Sequence, residues 1–571
     1  MVSLDRIRKG NRSYWRIVES RRVNGKPRPV PVLYLGTAED LLGRLLGAED
    51  GHLRLKSFQH GDVAALKAMA DRLDVVSIID RRVKNRSRHA LSVGTTLLLA
   101  ALNRAVEPRS KRGWASWANG TSVARLFDID PSPLTSQYFW DQMDLVSTTA
   151  LEAVENELTG RIVKIFDLRL DLLFYDTTNF FTYIDSTNTK STLAQRGHSK
   201  QHRTDLRQFS LALLVCRHGH LPLCSHVYEG NRVDTTQFPE SLTLVRRRLE
   251  SLVEAVEEIT LVYDRGNNSR ANQTRVDGAG LHYVAALTPS QHADLQGIAT
   301  AAYSPLGEGP LEGVRVHRLR KMVWGQERTL VLLISETLRQ GQIRGLAQHL
   351  DKRLKKLQAW KQALAKPKSG PRSPASADKT IRALRQGQYL EKILKINYNP
   401  HARAENRLQW SVDEQELARL HKEEFGKQIL MTDRHDWPTE EIILAYRGQS
   451  HVEETFRQIK DPDHLAVRPQ FHWTDQKVRV HTFLCLLAYL LARLVELEAR
   501  KVGWRGGLDA LLDELANIRL AMVLRSAGAQ GGRPRCAWQL EEVAPETRNI
   551  FEKLVPHRPP FMYTTETGAD D

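Results

Sequence analysis

Apolar positions change their spacing several times along the chain, and each change predicts an element. Residues 12–36, "RSYWRIVESRRVNGKPRPVPVLYLG", predict two strands around an Asn24-Gly25 turn, with helical patterning from about 37. From about 60 to 165 the apolar residues recur every three or four positions, as in "LSVGTTLLLAALNRAV", and predict helices interrupted by the basic stretch "EPRSKRG". Between 171 and 288 the pattern predicts strands at 171–175, 208–216, 222–228, 259–263 and 281–287. Helices are expected at 236–256 and from about 268. A hairpin followed by strand-helix crossovers builds a mixed α/β sheet with helices on its faces. Further strands ("GVRVHRL", "ERTLVLLIS"), a long helix near 336–365, a strand at "KQILMTD" and mostly helical sequence to about 526 complete the pattern.

Composition narrows the partner. The 571 residues carry 83 Lys plus Arg against 67 Asp plus Glu, a net charge of +16, which favours a polyanion such as nucleic acid or an anionic membrane surface. The longest apolar run, "FLCLLAYLLA", is too short to span a bilayer and reads as a buried helix. The N-terminus lacks the apolar segment of a secretory signal, and four cysteines are few for a disulfide framework. A cytoplasmic protein with no membrane partner is expected. Cys216, His218, His220, Cys224 and His226 are possible zinc ligands, but their spacing fits no standard finger and reads better as a β-hairpin. Residues 351–386 hold eleven Lys or Arg and two acids, including the loose "KPKSGPRSPASADK", either a solvated helix and loop or a contact for phosphates.

The candidate chemistry lies in repeated strand-end acids. "DLLFYDTTNFF" ends an apolar run at Tyr175-Asp176, and "ITLVYDRGNNS" ends one at Tyr263-Asp264. Either Asp alone reads as a turn-former. Two carboxylates at neighbouring strand ends repel unless a cation sits between them, and Mg²⁺ takes one or two carboxylates together with phosphate oxygens. A third acid is offered by "AYRGQSHVEETFRQIK", where Tyr446, Gln449, Glu453, Arg457 and Lys460 fall within about 80° of one helix face. The alternative there is an ordinary Glu453–Arg457 pair on a solvated face.

These residues resemble the bacterial insertion-sequence transposases of the DDE type, specifically the cut-and-paste group with the Tyr-x2-Arg-x3-Glu-x6-Lys signature. Tyr446, Glu453 and Lys460 match it, while Gln449 stands at the arginine position and Arg447 and Arg457 lie nearby. "YDTTNF", "GHSKQHRTDLRQ", "EGNRVD", "YDRGNNS" and "RPQFHWTDQKVRVHTFLCLLAYLL" look like the family's blocks in the family's order.

The resemblance implies an RNase H-like core, a mixed sheet flanked by helices and interrupted between the second Asp and the Glu. The expected division is an N-terminal β-rich unit (1–58), a helical block (59–168) that either binds and pairs DNA ends or is a plain bundle, the core's first part (169–290), an insertion (291–426), the core's second part (427–500) and a C-terminal helical region and tail (501–571). It further implies that Asp176, Asp264 and Glu453 hold two Mg²⁺ or Mn²⁺ ions for cleaving and joining double-stranded DNA at element ends, within a homodimeric synaptic complex. Tyr446, Arg447, Gln449, Arg457 and Lys460 are expected at the phosphates, Lys200 and Arg203 on flanking DNA, and Arg265 on DNA or on an acid of the site. Trp324, Trp360, Trp410 and Trp437 are candidates to stack a flipped base. Two other readings are an RNase H-like endonuclease that cuts without joining and a transposase-derived protein that only binds DNA. Strand-transfer products separate the first, and cleavage itself the second. End sequence and target preference are not legible, because base readout depends on side chains placed in a groove.

Overall fold

The computed structural model describes residues 2–556 except 10–11, 24–25, 39–52, 85–89, 109, 186, 198–202, 204, 254, 308, 366–372, 388, 462, 466, 468–469 and 526–534. The Asn24-Gly25 turn, nearly all of the helical patterning expected after 37, and Lys200 lie outside the described residues. The chain divides into two compact units, Met1–Val256 with Ser450–Asp571, and Glu257–Gln449.

In the first unit, strand Leu172–Thr182 pairs antiparallel with Arg207–Cys216, which pairs with Pro222–Glu229. The middle strand is buried along almost its whole length, as expected of an apolar run covered on both faces. The two later strands form the hairpin expected around the Cys/His cluster, with Cys216 and Cys224 buried.

One expectation about this sheet is overturned. The first strand does not stop at Asp176: it runs on to Thr182, with Asp176 opposite Leu213 and the ladder continuing to Thr182 opposite Arg207. "TTNFFT" is rich in β-branched and aromatic residues, and a ready partner strand keeps their backbone groups bonded. Asp176 is therefore a mid-strand residue, not a turn-former.

Helices cover this sheet and build the apolar interior of the unit. Ser92, Ser147 and Thr474 cap the helices Val93–Val106, Thr148–Ile165 and Asp475–Lys501, each side chain accepting from the backbone N–H three residues on. Asp475–Lys501 carries the run "FLCLLAYLLA" and is long and apolar enough to cross a membrane by length and composition. Its apolar window is 89% buried within the unit, against the helices Val93–Val106 and Gly61–Arg72 among others.

Both ends of the chain hold more strand than the pattern predicts. Val2–Lys9 adds a third strand to the N-terminal pair. Arg519–Arg525, expected to be helical, is a strand between Leu53–Gln59 and Arg535–Leu540, with Phe58, Leu520, Met522 and Trp538 forming its core. "RLAMVLR" is a short apolar run that suits either state. Partners more than 450 residues away in sequence decide for the strand.

Among the described residues of the second unit, Leu394–Tyr398 pairs separately with Leu408–Val412, and six other strands form a sheet in the order Ser304–Pro305, Val314–Val323, Gln326–Ser335, Lys427–Thr432, His282–Leu287, Thr260–Tyr263. The last two are parallel and are joined by the helix Arg270–Gly278; the other pairings are antiparallel. The mixed sheet flanked by helices read from the sequence is thus present. The hairpin 314–335, placed in the insertion by the sequence, is hydrogen-bonded to Lys427–Thr432 and extends this sheet. Helix Glu336–Leu364 then leaves it. Half of the basic stretch read as loose forms a further helix, Pro374–Arg385, because Ser373 caps it, Pro374 opens it, and Ala377 and Leu384 pack with Leu357, Trp360 and Leu364.

Candidate functional site

In the first unit, the short helix Ser450–Gln458 packs against the strands Leu172–Thr182 and Arg207–Cys216. Its buried face carries Val452, Thr455 and Phe456, and the His451 ring lies 5.1 Å from the ring of Phe174. That packing leaves Glu453 exposed in the first turn, where a carboxylate suits the positive end of the helix dipole. Among the described residues Glu453 makes no hydrogen bond or ion pair, so its oxygens remain open to a cation. Asp176 is half-buried on the strand beneath.

Lys460 follows the same helix and returns to that strand. Its Nζ donates to Thr178 Oγ1, two residues beyond Asp176 and so on the same face of the strand. The ammonium stands 5.5 Å from the Phe180 ring and 5.8 Å from the Phe456 ring, where the ring faces favour a cation. Thr178 was not singled out from sequence, because the pattern ended the strand before it.

In the second unit, Tyr263 ends the strand Thr260–Tyr263 as a buried ring whose hydroxyl donates to Gln273 Oε1 at 2.6 Å. Asp264 follows it and is exposed at the start of a short 3-10 turn containing Arg265, also exposed. The Tyr446 hydroxyl donates to Asp264 Oδ1 at 2.9 Å. Burial, followed by the charge of Asp264, pushes the phenol pKa up, so the hydroxyl stays protonated and a donor. Tyr446, expected at a phosphate, instead holds an acid.

The single helix face expected to run from Tyr446 to Lys460 is not continuous. Helix Thr439–Arg447 ends, and Ser450–Gln458 begins as a separate helix in the other unit. Between them Gly448 supplies poor helix propensity, and the Gln449 N–H bonds back only three residues, to the Tyr446 carbonyl at 3.0 Å. Gln449 is buried and Lys460 lies past the second helix, so the stripe breaks into two groups. Arg447 donates to the Pro310 carbonyl at 2.8 Å. Arg457 pairs with Glu454 at 2.6 Å and not with Glu453, which removes the ordinary i,i+4 explanation of that acid. Arg203 is held by Asp205 in a two-pronged pair, each contact 2.8 Å.

Of the four tryptophans considered for base stacking, Trp360 is a core residue, its ring 5.6 Å from that of Tyr398 at an angle of 19°. Trp324 sits at a hairpin tip with φ of 51°, followed by Gly325 at 88°. Trp410 and Trp437 are half-buried beside Lys361 and Arg434.

The donor set is chemically suited to Mg²⁺ or Mn²⁺, since carboxylate oxygens are hard ligands. Among the described residues, however, no three His, Cys, Asp or Glu side chains are gathered closely enough to hold an ion. Mg²⁺ is commonly bound by one or two carboxylates with water and substrate phosphate, so a closed cage of three is not required of it. The residues fit the ion in type, and the substrate would supply the remaining oxygens.

No curated protein matches the chain. A piggyBac transposase synaptic complex with hairpin DNA, solved by cryo-EM, is similar over 79% of each chain at 8% identity, with a TM-score of 0.36. The family model described as "Transposase DDE domain" matches residues 181–491, more than half of the chain. That range begins five residues after Asp176 and takes in Asp264, Glu453 and every other candidate site residue. The chain belongs to the DDE transposase family.

Proposed function

We propose that this transposase cleaves DNA at the ends of a mobile element and joins those ends to a target, by the cut-and-paste route. Asp176, Asp264 and Glu453 are the residues that hold two Mg²⁺ or Mn²⁺ ions. When bound, such ions supply activation of water or a 3′-hydroxyl and stabilisation of the leaving 3′-oxygen at the phosphodiester. The chain's own part is to bind and orient. Lys460 presents its ammonium on the face of the strand that carries Asp176, and Tyr446 fixes one oxygen of Asp264. Arg265 and Arg457 add exposed cations for the DNA backbone. The protein acts as a homodimer on double-stranded DNA, in the cytoplasm of a bacterium.

The observation that carries this reading is the open Glu453 carboxylate on a helix packed over the Asp176 strand, with Lys460 bonded two residues from that acid. The test is cleavage and joining of a labelled duplex bearing the element's terminal sequence, with Mg²⁺, for the wild type and Glu453→Gln. The wild type nicks and joins, while Glu453→Gln binds the duplex and does neither. Nicking without joining products from the wild type would make it an endonuclease. Equal binding by both with no cleavage would make it a DNA-binding protein only.

A further inference from the structure

Five aromatic side chains are strongly exposed among the described residues, and three of them gather in one place: Tyr183 (48%), Phe471 (62%) and Trp473 (52%). Burying any one of these rings is worth roughly 1.5–3 kcal/mol, so leaving three together in water needs a reason. The rings of Tyr183 and Phe471 lie 5.4 Å apart at 35°, and Lys190 Nζ stands 4.8 Å from the Trp473 ring centroid.

The patch is held firmly. The Tyr183 N–H donates to the Gln470 carbonyl at 2.9 Å, and Gln470 is fully buried. On the other side, Asp475 opens the helix Asp475–Lys501 and receives Ser191 Oγ at 2.6 Å and the N–H groups of Thr192 and Leu193 at 3.0 Å each. The loop carrying Lys190 is therefore pinned to the segment carrying Phe471 and Trp473. Asp475 has both oxygens engaged in holding this loop. Arg207, at the end of the adjacent strand, adds a second cation, oriented by the Asn188 carbonyl at 2.8 Å.

Tyr183 directly follows the strand of Asp176. Seven residues of extended chain at about 3.3 Å each put it roughly 23 Å along the strand direction from that acid, about seven base steps of a duplex. Lys460, bonded to Thr178, lies between them. Exposed rings beside cations suit an unpaired nucleic-acid strand, since every base has a π-face and every linkage a negative charge.

We infer that Tyr183, Phe471 and Trp473, with Lys190, form a stacking platform for unpaired bases of the DNA on which this enzyme acts, about seven base steps from the cleavage centre. The platform rests on the reading of the chain as a DNA-processing transposase. It adds to that reading a site for single-stranded DNA outside the region around the cut.

The test compares binding of a short fluorescent oligothymidylate and of a blunt duplex to the full-length protein, for the wild type, Phe471→Ala/Trp473→Ala and, as a conservative control, Trp473→Phe. The platform predicts that the double variant binds the single strand roughly 10- to 100-fold more weakly while its duplex binding is unchanged. Trp473→Phe keeps most of the single-strand affinity. These side chains are on the surface, so the variants fold, and melting temperature checks that they do. Equal affinity of wild type and double variant for the single strand overturns the platform and leaves the transposase reading standing. A matching loss for both DNA forms also overturns it, because stacking on unpaired bases cannot weaken a blunt duplex. A wild type that binds neither form refutes the transposase reading itself.

Discussion

The hydrogen bond from Tyr446 to Asp264 separates two roles for the signature tyrosine. Tyr446→Phe removes the hydroxyl and keeps the ring, so the packing of the helix Thr439–Arg447 is preserved. What is lost is one O–H donor at 2.9 Å from a carboxylate oxygen. A hydrogen bond to a charged group contributes about 1.5–3 kcal/mol, and because Asp264 is exposed and water can replace the donor, the lower end applies. About 1.4 kcal/mol is a tenfold change, and it falls on the orientation of a proposed metal ligand. Cleavage by Tyr446→Phe should therefore need roughly tenfold more Mg²⁺ for half-maximal rate and recover near wild-type rate at saturation. Since burial and Asp264 keep the phenol protonated, the wild type should hold its Mg²⁺ affinity throughout the neutral and mildly alkaline range. The assay is a Mg²⁺ titration of single-turnover cleavage. A variant with normal Mg²⁺ dependence but weaker DNA binding would refute this reasoning and return Tyr446 to a phosphate contact.

Three further outcomes are expected. Lys460→Met keeps much of the stem that passes the Phe180 and Phe456 rings but removes the ammonium, and should slow cleavage about tenfold or more at fixed Mg²⁺; an unchanged rate would rule out its positioning role. Gly230→Ala should destabilise the first unit by about 2 kcal/mol or more, because the added methyl would clash with the Gln208 backbone carbonyl where "EGNRVD" meets the central strand; a denaturation midpoint equal to wild type would contradict that packing. Acid should weaken the fold. Burial lowers His60 and His220 to about 4 and His472 to about 3, so their stabilising neutral form is complete above the unfolded value near 6.5 and is lost as pH falls towards those values. Asp62, raised by burial to about 6, works in the opposite direction between about 6 and 4. Fewer protons are therefore bound by the folded chain near pH 5, His481, His226, His292 and His451 being lowered by burial as well. Denaturant unfolding should show stability falling by roughly 2 kcal/mol per pH unit there, with half-exposed His220 counted at reduced weight; equal stability at pH 7 and pH 5 would count against these histidines.

Periodicity and composition by themselves determined the mixed α/β class, the hairpin at the Cys/His cluster, the long helix from 336, the buried character of "FLCLLAYLLA" and the three acids as candidates, because these depend on local pattern and residue chemistry. Spacing alone could not tell that the Asp176 strand continues to Thr182, since a ladder exists only where a partner strand lies alongside. Nor could it place "RLAMVLR" as a strand between Leu53–Gln59 and Arg535–Leu540, a pairing that spans most of the chain. An ideal helix drawn through 446–460 put five side chains on one face, whereas a two-residue break at Gly448 and Gln449 turns Tyr446 towards Asp264 and leaves Glu453 and Lys460 on a separate segment at the Asp176 strand. The aromatic patch was hidden for the same reason. Tyr183 and Phe471 are 288 positions apart in sequence, and only the folded first unit puts their rings 5.4 Å from each other.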